Sequence, residues 1–171
     1  PPLAAGRGYV VALTTLMNIF AANAVIISGP SVSSIDEHTN GIGAVSCSGK
    51  PEVTETNAGV IVRDVEAVSE AANLAAGSGN DITLNTSTNN FAASVVITSG
   101  RNVAIMDEPT IDLVASTVSG TYNVTATTGD IPDSDNQEIT GVTTFVTAAA
   151  NGIILHAPSN NVSAATVTTN S

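Results

Sequence analysis

Residues 91–100, FAASVVITSG, restate residues 20–29, FAANAVIISG, at a distance of 71 positions. Sliding the chain by 71 without gaps shows that the match runs well outside the decapeptide. Residues 9–79 against 80–150 give 21 identities in 71 positions, among them Leu13/Leu84, Asn18/Asn89, Asp36/Asp107, Glu37/Glu108 and Gly49/Gly120. A truncated third copy follows at 151–171, where Leu155, Asn160 and Val167 continue the series Leu13/Leu84, Asn18/Asn89 and Val25/Val96. A fixed spacing held without insertion marks a repeat architecture, in which each unit buries its apolar face on its neighbour. The chain therefore reads as a single solenoid segment over 1–171, an excerpt of a longer array, with copies at 9–79 and 80–150 and a partial copy at 151–171.

The composition narrows the kind of solenoid. Hydrophobic residues make up 43% of the chain and aromatics only 3%, with no Trp, so a core exists and is aliphatic. The rest is rich in Thr, Ser, Asn and Gly, residues that suit strands joined by tight corners. A mean hydropathy of +0.28 is the opposite of the disordered signature.

Period-2 alternation appears once the chain is cut at its turn signals. Ile82 and Leu84 alternate with Thr83 and Asn85, Val103 and Ile105 with Ala104 and Met106, and Ile111 and Leu113 follow the same rule. Further strand-like runs are SVVIT at 94–98, YNVTAT at 122–127, TTFVTA at 143–148 and GIILHA at 152–157. The Ala-rich run AVSEAANLAAG at 67–77 could form a helix, but its repeat partner at 138–148 is a Thr-rich strand pattern, and both are assigned as strand. An aliphatic core at Ile82, Leu84, Val103, Ile105, Leu113, Val118, Val124, Ile153 and Leu155 follows. Ser-Gly pairs recur at 28–29, 48–49, 99–100 and 119–120, a step of 20 within each copy. That step divides each repeat into about three coils of two or three short strands, with equivalent residues superposing after a translation along one axis. The fold expected is all-β, a parallel β-helix with a helix content near zero.

Residues 80–131 carry the elements N-D-I-T-L, S-G-x-N-V, I-D-L-x-A-S-T-V-S-G and N-V-T-A. In these they resemble the repeat region of large secreted bacterial adhesins of the filamentous haemagglutinin and autotransporter type. The first copy departs most, having lost the I-D-L strand and gained Pro30, Cys47 and Lys50. What the resemblance implies is a right-handed parallel β-helix, extracellular on a Gram-negative cell, serving as a stiff stalk of an adhesin without catalysis. Host or neighbouring-cell surface ligands would then be bound through other parts of the parent protein. The alternative is a self-assembling extracellular filament subunit, associating end to end.

Charge and chemistry fit that expectation. Fifteen acidic against four basic residues give a net charge of −11, which disfavours nucleic acid or an anionic membrane as a partner. The apolar run at 10–27 carries Asn18 and Asn23, aligns with strands of the second copy and is short for a membrane span. Cys47 aligns with Val118 and reads as a buried hydrophobe. His38 and His156 lack partners at a catalytic spacing. Asp130, Asp133, Asp135 and Glu138 cluster in GDIPDSDNQE at 129–138, read as a solvated loop projecting from the coil; calcium is its alternative reading, though the spacing is not that of an EF-hand. The N-x-S/T triplets at Asn85, Asn123 and Asn161 are expected by chance in such a composition. A polysaccharide-active enzyme is disfavoured by four basic and five aromatic residues, none clustered. For an ice-binding surface, TATT at 125–128 and TVTT at 166–169 occupy different positions of the repeat. No residue is assigned a catalytic, cofactor-binding or metal role, and no cofactor is expected.

Overall fold

Parallel pairing relates every strand of this chain to one lying roughly twenty residues away. In a computed structural model, residues 71–170 are described apart from Ala92, together with the backbone of eight strands within residues 1–70. The strands are β1 Leu3–Ala4, β2 Val10–Leu13, β3 Ala24–Ile27, β4 Ser31–Ile35, β5 Gly41–Ser46, β6 Lys50–Thr54, β7 Val60–Val62, β8 Val65–Glu66, β9 Ala72–Ala75 and β10 Ile82–Leu84. They continue as β11 Ser94–Gly100, β12 Val103–Asp107, β13 Asp112–Val118, β14 Tyr122–Ala126, β15 Ile131–Pro132, β16 Gln137–Ala148, β17 Ile153–Ile154 and β18 Asn161–Asn170. Among the described residues there is no helix, and the Ala-rich run that competed for one contributes β9 instead.

The strands stack into two columns. In the first, Ile82 pairs with Val103, Val103 with Tyr122, Tyr122 with Thr143 and Thr143 with Ala165, steps of 21, 19, 21 and 22 residues. In the second, Leu74 pairs with Ile97, Ile97 with Ser116 and Ser116 with Gln137, and Glu138 next to it pairs with Asn161. Toward the N-terminus β7, β5, β3 and β1 extend the first column, and β6, β4 and β2 the second. The short pair β15 and β17 sits against the second column through the bridge of Leu113 to Asp133. The twelve-residue β16 runs round the corner from the second column to the first at Gly141, where its register with β18 shifts. Each coil thus holds the next by backbone hydrogen bonds, and the chain is a β-solenoid.

Inward side chains of both columns merge into one aliphatic core. Ile82, Leu84, Val95, Ile97, Val103, Leu113, Val118 and Val124 are all at most 1% exposed, while the residues between them face outward. This is the alternation expected from the sequence. Ile153 and Leu155 pack against the same cluster but are only partly buried. Tyr122 and Phe145 meet edge to face in the core with ring centres 6.2 Å apart. The Ser-Gly step forms one corner: Ser119 N–H donates to the Gly100 carbonyl, Gly120 N–H to that of Arg101, and Gly141 packs on Gly120 in the coil beyond.

The repeat and the coil do not share a common period. From Ile82 to Ile153, 71 residues on, the chain visits the columns alternately through β10, β11, β12, β13, β14, β15, the second half of β16 and β17. These are seven half-coils, so a repeat advances three coils and a half. The same exchange is seen at the backbone of the first copy: β2 and β4 lie in the second column, whereas their equivalents β10 and β12 lie in the first. Equivalent residues are therefore related by a half turn about the axis as well as a translation along it. The physical reason is that both columns feed the same aliphatic core. A given inward-facing pattern fits either side.

Candidate functional site

The chemistry-bearing side chains sit at the corners between strands, and most are spent on the adjacent coil. At one corner Asp81 accepts from Arg101 Nε at 2.8 Å and Nη2 at 3.0 Å and from the Asn102 N–H and Nδ2, and Asn102 Oδ1 in turn accepts from the N–H and hydroxyl of Thr121. Three successive coils are joined in this way. The Arg101 hydrogen bonds hold the Asp81 carboxyl below its ordinary range, the remaining hydrogen bonds to Asn102 adding to the effect. The pair is half exposed, so its net contribution to stability is small.

The acidic stretch at 129–138 is not a projecting loop. Ile131 is fully buried in β15, and Gln137 is fully buried at the start of β16, where its amide donates to the carbonyls of Val114 and Asp135. The carboxylates flanking them cap the coil that follows. Asp130 Oδ1 accepts the Gly152 N–H at 2.6 Å; Asp133 accepts the backbone N–H groups of His156 and Ala157 and the Nδ2 of Asn160; Glu138 accepts Asn161 Nδ2 at 2.8 Å. Asn136 Oδ1 accepts the Ser159 N–H, Asn160 Oδ1 accepts the Gln137 N–H, and the Ser134 hydroxyl donates to Asp112. The alternation of Pro, Asp and Asn suggested a loop because turn residues and cap residues have the same composition.

Among the described residues no group of three or more His, Cys, Asp and Glu is placed to hold a metal ion. His156 is exposed and enters the network only through its backbone. His38 and Cys47 lie outside the described residues; Val118, the position that aligns with Cys47, is buried. Among the described residues no helix is long and apolar enough to cross a membrane. The triplet asparagines Asn85, Asn123 and Asn161 are all exposed.

The half-coil advance changes the reading of the threonine runs. Asn123, Thr144 and Thr166 stand in one outward row of the first column and Thr125, Val146 and Thr168 in the next, so TATT and TVTT share a row although they differ in repeat position. Ala104 and Met106 occupy the same rows one coil earlier and end the hydroxyl series.

The polar groups turned inward are a feature the sequence reading missed. Asn89, Asp107, Ser116, Gln137, Thr143 and Thr147 are buried among aliphatic side chains. Asp107 Oδ1 accepts the Phe91 N–H at 3.0 Å, whereas its Oδ2 has no partner, and desolvation pushes its pKa up to about 7. Burial likewise raises the Tyr122 phenol above its ordinary range, opposed by a long contact to the Ser116 hydroxyl. Asp107 was detectable: it has the parity of Val103 and Ile105, so the alternation already aims it into the core. Asn89 and its repeat equivalent Asn160 close the same kind of turn, each N–H donating to the carbonyl three residues back.

A family model described as "Repeats of unknown function (DUF5649)" matches the chain twice, over residues 30–98 and 100–169. The matches repeat at the interval found within the sequence. No curated protein matches. No solved structure matches.

Proposed function

We propose, for a chain that belongs to the family of repeats of unknown function DUF5649, a mechanical role: a stalk segment of an extracellular bacterial adhesin, with no catalysis of its own. The observation that supports this reading is the coil-to-coil clasping. Backbone ladders in two columns, and side-chain caps such as Asp133 on the coil that follows, invest the polar groups in rigidity along one axis. A solenoid of this kind lengthens by adding repeats, each contributing about 17 Å at strand spacing. The resemblance of residues 80–131 to haemagglutinin-type repeats supplies the setting, the outer surface of a Gram-negative cell. Ligands on host or neighbouring cells would be held by other parts of the parent protein.

In-frame deletion of one 71-residue unit from the parent protein tests the reading. The expected result is a fibre shorter by about 17 Å in electron micrographs, with ligand specificity unchanged and adhesion weakened only on cells with a thick surface layer. Retention of full cell binding by this isolated 171-residue segment would show it to be a binding module instead.

A further inference from the structure

Asp107 closes β12 with its side chain inside the rod and no exposure to solvent. The segment Asn85–Phe91, which carries the chain from β10 toward β11, is fastened to the end of β12 by three bonds. Asn89 Nδ2 donates to the Met106 carbonyl at 3.0 Å, Glu108 N–H donates to the Asn89 carbonyl at 2.8 Å, and Phe91 N–H donates to Asp107 Oδ1 at 3.0 Å. Phe91 itself is buried. Three elements thus meet at one carboxyl whose second oxygen has no partner. A neutral acid tolerates that enclosure; an ionised one, with a single N–H from the segment, does not.

We propose that Asp107 is a pH-operated latch: as a neutral acid it keeps Asn85–Phe91 seated on the rod, and ionisation releases that segment. The charged surroundings are sparse. Glu108, adjacent in the chain, opposes ionisation further. The segment Asn85–Phe91 contains no ionisable side chain, nor does β10, and β14 brings only the neutral phenol of Tyr122 at its far end, paired with Val103. The latch belongs to the repeat, since Asn18, Phe20, Asp36 and Glu37 stand where Asn89, Phe91, Asp107 and Glu108 stand in the second copy. An array would therefore carry one latch per repeat, on alternating sides.

The sign follows from linkage. A carboxyl near 7 when enclosed and near 3.9 when released favours the closed segment fully below the lower value. The advantage is lost as pH rises through the upper one. Hydrogen exchange of the whole chain, corrected for the intrinsic pH dependence of amide exchange, reads this directly. Between pH 5 and pH 8 the opening constant of the segment should rise on the order of tenfold to a hundredfold, and Asp107→Asn should abolish the rise while Glu108→Gln retains it. Equal pH dependence in wild type and Asp107→Asn, or none in wild type, overturns the proposal. Should Asp107→Asn not fold, carbon NMR of the wild-type carboxyl decides: a midpoint near 7 that moves the Phe91 amide signal supports the latch, and a midpoint in the ordinary carboxylate range refutes it.

Discussion

Ile82 and Ile153 occupy the same position of successive repeats, yet Ile82 pairs with Val103 in one column and Ile153 with Ile131 beside the other. The 71-residue spacing describes the sequence; the ladder spacing of 19 to 22 residues in the first column describes the rod.

Spin labels separate the two periods. Thr83 and Thr144 lie in one row, three coils apart through Ala104 and Asn123, which places their backbones about 15 Å from each other. Thr83 and Ile154, 71 residues apart, should be farther by about 10 Å or more, the thickness of the rod. Equal distances in the two labelled pairs would mean that each repeat is a whole number of coils.

Leu84 is fully buried, so Leu84→Ala should cost about 2–5 kcal/mol. Leu155, its equivalent in the third copy, is only partly buried and should lose clearly less on the same truncation. Urea unfolding of the two variants measures the difference, and comparable losses would contradict the assigned core.

The corner glycines differ in what surrounds them. A Cβ on Gly141 would lie 2.3 Å from the Gly120 carbonyl oxygen, and one on Gly129 would lie 2.2 Å from the Thr110 nitrogen, both against backbone that cannot swing away. A Cβ on Gly79 meets nothing within 4 Å. Gly141→Ala and Gly129→Ala should each destabilise by about 1–3 kcal/mol or more, and Gly79→Ala should be close to neutral. Thermal melts of the three variants are the check.

Asp133 is saturated by three donors from the next coil. Asp133→Ala should raise hydrogen exchange at His156 and Ala157 while leaving β10 and β12 protected. Calcium should leave the melting temperature unchanged, because the oxygens a cation would need are engaged in caps. A calcium-dependent rise of several degrees would show that the caps yield to a metal.

Removing Pro132 to Gln137 should unfold the second column locally, since it takes out part of β15 and the buried Gln137 amide. Circular dichroism and a lowered melting temperature would register it. An intact, equally stable rod would restore the reading of this stretch as a dispensable loop.

The sequence by itself determined that the chain is a repeat, that its strands alternate aliphatic and hydroxyl residues, and which leucines, valines and isoleucines form the core. These are local properties: period-2 patterning is written in neighbouring residues, and a gap-free offset is visible without knowing any contact. The Ser-Gly step even located a corner. Only the tertiary structure decided which strand lies on which. The register of Ser116 on Gln137, or of Thr125 on Val146, depends on how many residues each corner consumes, and corner length is set by packing of glycines and caps between coils. For the same reason the acidic residues at 130, 133 and 138 looked like a loop in sequence and became clasps in space: their partners lie 22 to 27 residues away, outside any local pattern.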